Sequence, residues 1–347
     1  MNVLFSDITY SYLHPGGKQV HAAQLMKHLP RAGVTVGYET WHDPDLQPDV
    51  VHFFGFNDTD RLRAMKRRGI KLVYTHIMDG LTNQSAARRR YHAAKARLVG
   101  RLPARIEPLM PWRGLQLFDA IVYMHAADRQ AALEIYDLDP TRTRIIPHGV
   151  ADVRDFQHAA DPDRGRYLVS LGSLVPRKNC LFTAEVCGEA NVPVVFVGHS
   201  PEKDSSYHRR FLQVAESTGA IVYSDVTNQQ KLRLLANAAG FILLSHGESG
   251  CIAVYEAASS GLPLLLADLP WARGYESPTH LDYCPLTDRR AAVVRVQDFF
   301  ARASRQDYPT LHVRTWSEIA DMYLDTYRAV LYGTPHAWSE SHAGKGA

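Results

Sequence analysis

Cysteine is scarce in this chain: 347 residues hold four, Cys180, Cys187, Cys251 and Cys284, and none stands in C-x-x-C spacing. That spacing leaves no redox or zinc motif and fits reduced thiols in a cytoplasmic protein. Long apolar runs are missing too; none approaches the about 18 residues that a membrane-spanning helix needs. The start, MNVLFSDITY, has no basic n-region and Asp7 interrupts its apolar run, so it does not read as a signal peptide. The 17 histidines form no H-E-x-x-H set, and neither a Walker phosphate loop nor a G-x-S-x-G elbow occurs. Asp-x-Asp pairs include Asp43–Asp45, Asp58–Asp60 and Asp161–Asp163. These three lie in polar stretches and two are Asp-Pro-Asp, which reads as turn chemistry rather than metal ligation. No metal site and no cofactor are expected.

What is present is the composition of a globular protein, 46% hydrophobic and 22% charged, long enough for two domains with separate cores. The net charge of +3 is unevenly spread. Residues 1–150 hold 20 Lys+Arg against 14 Asp+Glu, and the remainder 19 against 22. Between Arg61 and Arg105 stand 13 basic residues and a single acidic one, Asp79. Within that patch SAARRRYHAAKARLVGRL, taken as a helix, aligns Tyr91, Leu98 and Leu102 in one stripe. Arg90, Arg97 and Arg101 line one side of it, and Arg88 and Lys95 the other. Basic flanks around an apolar stripe are the layout of a helix lying on an anionic membrane surface. No nucleic-acid reader motif accompanies the charge, so nucleic acid is not the expected partner.

Short apolar runs (NVLFS, VTVGY, DVVHFF, KLVYTH, DAIVYM) alternate with helical stretches through the first 150 residues, the grammar of parallel βαβ units. In GKQVHAAQLMKHLP the apolar positions Val20, Ala23 and Leu25 to Leu29 fall near a 3.6 period, with Pro30 and Gly33 as stops. The grammar restarts at Tyr167 with YLVSLGS, VPVVFVG, AIVYSD, GFILLSH and LPLLLAD. The expectation is an α/β chain of two Rossmann-like domains, 1–150 and 151–332, facing each other across a cleft, with 333–347 as a disordered tail. In such sheets ligands bind beyond the carboxyl ends of the strands.

One stretch singles itself out. SHGESGCIAVYEAASSGLPLLLAD, residues 245–268, carries Glu248 and Glu256 in a run otherwise small or apolar. GFILLSH reads as a strand and IAVYEAASSG as the helix beyond it, so Gly247 to Cys251 form a strand-to-helix loop. Free backbone N–H groups and small side chains there suit a phosphate. A helix terminus gives an anion only about 0.3–1 kcal/mol, so a cation must assist. Two carboxylates, one before the helix and one inside it, suit vicinal hydroxyls on either side of a diphosphate, the plan of a nucleotide sugar. On spacing alone, a buried helix glutamate and a solvated cap fit equally well.

Glu, seven residues, Glu, with AASSGLPLLLAD after it, resembles the retaining GT-B glycosyltransferases of family GT4 (glycosyl transferases group 1). HPGGKQVHAAQL is similar to the family's N-terminal glycine loop and RIIPHGV to the end of its first domain. YLVSLGSLVPRKN is similar to its phosphate-lysine motif, FVGHSP to its next turn, and TWSEIADMYLDTYRAVL to its closing helix. The resemblance implies that Glu248 binds hydroxyls of the donor sugar and Glu256 the ribose. It implies that the backbone of Ser249, Gly250, Cys251 and Ile252 holds the distal phosphate and that Lys178 neutralises the diphosphate leaving group. Gly16 and Gly17 would let the N-terminal loop close over the phosphates, and His76 would face the donor sugar. Two departures stand out. Ser173 occupies the place of a family arginine, for which Arg177 is the candidate substitute. Ser249-Gly250-Cys251 replaces the usual Gly-aromatic-Gly.

The implied activity is retaining, metal-independent transfer of a hexose from a nucleotide sugar (UDP- or GDP-hexose) to a growing, lipid-linked glycan of a bacterial surface polysaccharide. The expected location is the cytoplasm, peripheral on the inner face of the cell membrane. The alternatives are a nucleotide-sugar epimerase of the same fold and a catalytically degenerate nucleotide-sugar-binding protein.

Overall fold

The computed structural model describes residues 1–7, 16–40, 46–55, 58–77, 80–100, 111–151, 165–275, 281–303, 311 and 313–333. The chain divides into two units, Met1–Pro147 together with the segment from Trp316 onward, and His148–Thr315. In the first, the elements are β1 (Asn2–Ser6), α1 (Gly17–His28), β2 (Thr35–Tyr38), β3 (Val50–Phe53), α2 (Thr59–Arg67), β4 (Lys71–Thr75), α3 (Ala86–Gly100), β5 (Ala120–Tyr123), α4 (Ala126–Tyr136) and β6 (Thr143–Ile145). The second contains β7 (Gly149–Val150), β8 (Leu168–Leu171), α5 (Cys180–Glu189), β9 (Val194–Val197), α6 (Ser206–Thr218), β10 (Ile221–Tyr223), α7 (Asn228–Asn237) and β11 (Gly240–Leu243). It continues with α8 (Ile252–Ser259), β12 (Leu264–Ala267), β13 (Leu281–Cys284), α9 (Arg289–Ala303) and β14 (Arg314–Thr315), before α10 (Trp316–Tyr332) returns to the first unit.

Each unit is built on a six-stranded sheet, ordered β2-β1-β3-β4-β5-β6 in the first and β10-β9-β8-β11-β12-β13 in the second, and every pairing is parallel. Covering both faces of a parallel sheet makes its strands apolar at nearly every position, which is why VVFV, GFIL and LLLA are buried throughout. On one face of the second sheet Val169, Phe241, Leu243, Leu264 and Leu266 pack with Val254 and Ala257 of α8. On the other, Leu168, Phe196, Ile242 and Leu265 pack with Ala184 of α5 and Phe299 of α9. The first unit has its own core around Val51, Phe53, Leu72, Phe118 and Ile121.

Two sequence expectations need correcting. The closing helix, assigned from sequence to the second domain, packs on the first. Its Tyr323 hydroxyl lies 3.0 Å from His21 Nε2 and 3.0 Å from Thr75 Oγ1. Its Tyr327 hydroxyl lies 2.7 Å from His52 Nδ1, and His52 Nε2 is 2.8 Å from Thr75 Oγ1. A polar network this deeply buried commits the helix to the element that satisfies it. The same network corrects the face of α1: it buries His21, Ala22 and Leu25, whereas Val20 is exposed. Of the proposed tail, 334–347 lies outside the described residues.

Burial holds the His52 imidazole at a pKa of about 3, and burial together with neighbouring His52 does the same for His21. Both rings are therefore neutral in the fold but titrate near 6.5 once unfolded. Stability from this source is fully present above pH 6.5 and is lost as the pH falls from there towards 3. Each histidine should contribute about 1.4 kcal/mol per pH unit to that loss. His52→Gln, which cannot titrate, should show a correspondingly shallower fall in unfolding free energy between pH 6 and 4. An unchanged slope would show that His52 takes no part in it.

Candidate functional site

The order of the second sheet reverses between β8 and β11, and in open α/β sheets that is where loops part to admit a ligand. After β8 the chain runs into a single tight helical turn, Pro176–Lys178, closed by Asn179 in the left-handed conformation (φ 54°). The turn is tied to the loop after β11: the His246 amide donates to the Arg177 carbonyl at 2.9 Å, and Asn179 Nδ2 donates to the Leu244 carbonyl at 3.1 Å. β9 ends so close by that a Cβ on Gly198 would stand 1.9 Å from the Gly172 carbonyl oxygen, so only glycine fits there.

These ties bring Lys178, Arg177 and Glu248 together. Lys178 Nζ lies 2.8 Å from Glu248 Oε1, and Arg177 Nη1 lies 2.9 Å from Glu248 Oε2. Arg177 Nη1 also donates to the Gly247 carbonyl at 2.6 Å, and Lys178 Nζ lies 3.5 Å from Cys251 Sγ. Lys178 and Glu248 are both buried, whereas Arg177 is exposed. Burial works against charge on Lys178, but Cys251 and Glu248 outweigh it and raise the ammonium above the ordinary lysine value. Burial likewise works against the Glu248 carboxylate, and Lys178 and Arg177 reverse it, leaving the carboxyl below the ordinary glutamate value. The buried pair is therefore ionised throughout the neutral range.

The turn that follows is shaped by Gly250, whose φ of 66° favours glycine. Cys251 is the N-cap of α8 and makes no side-chain capping bond. From sequence all the loop amides were expected to be free; the Cys251 amide instead donates to the Tyr275 hydroxyl at 3.0 Å. Trp271 Nε1 donates to the Ser245 carbonyl at 3.0 Å and fixes the start of the same loop. Ser249 and Ile252 are half-buried beside it. Glu256, one turn into α8, is not part of the Glu248 cluster: it pairs with Lys231 of α7 at 2.6 Å. Sequence reasoning missed Lys231, Asn179 and Tyr275. Only the tertiary fold brings them to the glutamate loop, from positions at least 16 residues away from Gly247–Cys251; Lys231 and Tyr275 lie in no motif, and Asn179 ends the phosphate-lysine motif with no role read from it.

The other predicted residues divide between the units. Ser173 is half-buried in the loop before the helical turn, and Arg177 rather than Ser173 supplies the second cation. His76 belongs to the first unit, just after β4. It stacks on Tyr74, with ring centroids 5.0 Å apart, and its Nδ1 lies 3.3 Å from the Tyr123 hydroxyl. Burial lowers its pKa to about 4, so it is neutral at pH 7. Gly16 and Gly17, also in the first unit, are exposed at the start of α1. Asp58 is the N-cap of α2, accepting from the amides of Asp60 and Arg61. Asp43–Asp45 and Asp161–Asp163 lie outside the described residues.

Three comparisons can be set against this geometry. The family model described as "Glycosyl transferases group 1" matches residues 153–280. A curated relative from Xanthomonas campestris, "GDP-mannose:cellobiosyl-diphosphopolyprenol alpha-mannosyltransferase", is 25% identical over 210 residues, 56% of this chain and 55% of the relative. The match thus spans about half the length of that relative. Among solved structures, sucrose-phosphate synthase from Thermosynechococcus elongatus superposes with a TM-score of 0.66 at 15% identity, over 96% of this chain and 100% of that one. Anabaena HepE, solved in complex with UDP-glucose, superposes with a TM-score of 0.58 at 14% identity, over 95% and 100%. Fold along nearly the whole chain and sequence over 153–280 therefore agree with the resemblance read from the motifs: this is a GT-B protein whose second unit matches the group 1 glycosyltransferases.

Proposed function

We propose that the protein is a retaining, metal-independent hexosyltransferase that uses a nucleotide sugar and extends a lipid-linked glycan. The observation that carries this reading is the meeting of Lys178, Arg177 and Glu248 at the strand-order reversal of the second sheet, at the start of α8. Cations beside a helix N-terminus suit a diphosphate, and a carboxylate beside them suits sugar hydroxyls. In the reaction, Lys178 would stabilise the diphosphate as it leaves, so that no divalent ion is needed for charge neutralisation. Glu248 would accept hydrogen bonds from the hexose, and Glu256, presented by α8 with Lys231 beside it, would accept from the ribose. The relative's name supplies the class of acceptor, a diphosphopolyprenol-linked glycan, and GDP-mannose as one donor; HepE supplies UDP-glucose as another.

A peripheral membrane position is part of the same reading. No described helix is long and apolar enough to cross a bilayer. On α3, Ala93 is buried against the body of the unit, while Tyr91 and Leu98 are 65% and 67% exposed on the opposite side. Arg88, Arg90, Lys95 and Arg97 are all exposed and flank that apolar stripe, whereas Arg101 lies outside the described residues. Rings and aliphatic chains that can enter the headgroup region, bordered by cations, fit an anionic lipid surface.

The activity is tested by incubating the protein with UDP- and GDP-hexoses and a polyprenyl-diphosphate glycan. Transfer with retained anomeric configuration, undiminished in excess EDTA, is the expected result. Isomerised donor without acceptor would replace this reading by an epimerase. Lys178→Ala should lower turnover by about 10²–10³ in a folded protein. For the membrane position, each basic residue near an anionic bilayer is worth about 1 kcal/mol within a Debye length of about 10 Å at 0.1 M salt. The protein should therefore sediment with anionic vesicles at low salt and be released by added NaCl. Arg90→Gln with Arg97→Gln should weaken sedimentation severalfold, and Tyr91→Ser with Leu98→Ser should do the same without changing net charge. Equal binding to neutral vesicles would remove the electrostatic part of the reading.

A further inference from the structure

Side chains on consecutive residues ordinarily diverge. Arg177 and Lys178 do not: the tight turn that ends at left-handed Asn179 brings both to one carboxylate, one cation on each of its oxygens. A carboxylate held in this way imitates two oxygens of a phosphate. It also gives Lys178 a partner where burial would otherwise leave an ammonium uncompensated, which is costly. The triad carries one net positive charge. A diphosphate brings more negative charge and more acceptor oxygens than a carboxylate, so it competes for both cations on favourable terms. Ser173 offers no charge of its own in this loop, so Arg177 is the second cation within it.

We propose that Glu248 competes with the donor phosphate for one pair of cations: an arriving diphosphate takes Lys178 and Arg177 from it, and the released carboxylate becomes available to the hydroxyls of the sugar. Arg177 is then a phosphate-binding residue rather than a surface arginine, and Glu248 holds back donors that cannot supply enough anionic charge to displace it. The inference rests on the transferase reading above, but it is read out without turnover.

Inorganic pyrophosphate is the probe, titrated by calorimetry into the full-length protein without divalent metal. Glu248→Gln keeps the shape and removes the competing charge, so it should bind pyrophosphate about tenfold more tightly than the wild type. Arg177→Met should bind it about tenfold more weakly, and Arg177→Lys should recover part of the loss. Arg177 is exposed, so its variants test the proposal even if Glu248→Gln unfolds, which the melting temperature would reveal. Equal or weaker binding by folded Glu248→Gln, or unchanged binding by Arg177→Met, would overturn the proposal while leaving the transferase reading standing. If wild type and variants all fail to bind pyrophosphate, both fall.

Discussion

The ion pair between Lys178 and Glu248 is the contact on which the candidate site depends. It joins the loop after β8 to the loop after β11, the two strands between which the sheet order reverses. Each charge would be too expensive to bury alone, and each makes the other's burial tolerable. Arg177, from the solvent side, adds a second cation to the same carboxylate and a bond to the Gly247 carbonyl. The short turn, left-handed Asn179 and the close approach at Gly198 can all be understood as what is needed to place that lysine beside that glutamate.

The two glutamates of the loop are kept apart by having separate partners. Glu248 has Lys178 and Arg177; Glu256 has Lys231 on α7. Like-charged groups eight positions apart on one loop and helix can then point to different parts of one ligand without repelling each other. This division fits a ligand with hydroxyl groups on both sides of a diphosphate, as the sequence pattern implied.

The strands were legible because covering both sheet faces makes them almost wholly apolar; KLVYT, LVSL and LLLA could hardly be anything else. β6 and β13 were missed, because TRI is short and polar and LDYC carries Asp282 and Tyr283 on an edge strand. The glutamate loop was legible because strand, small-residue turn and helix are local in sequence. Lys231 and the Tyr275 hydroxyl were not, since their approach depends on packing between distant elements. The placing of α10 failed for the same reason. Its amphipathic pattern shows that it packs, but only the buried histidines show where: His21 and His52 need the hydroxyls of Tyr323 and Tyr327. A sequence reader counts a histidine as polar and looks for it at the surface.

The central claim is that Lys178 and Arg177 serve a phosphate and that Glu248 gives them up to it. A crystal structure of the protein with a bound nucleoside diphosphate tests this most directly. The account predicts phosphate oxygens within hydrogen-bonding distance of Lys178 Nζ and the Arg177 guanidinium, with the Glu248 carboxylate moved away from both. A nucleotide bound elsewhere, with the 2.8 Å and 2.9 Å contacts to Glu248 intact, would contradict it.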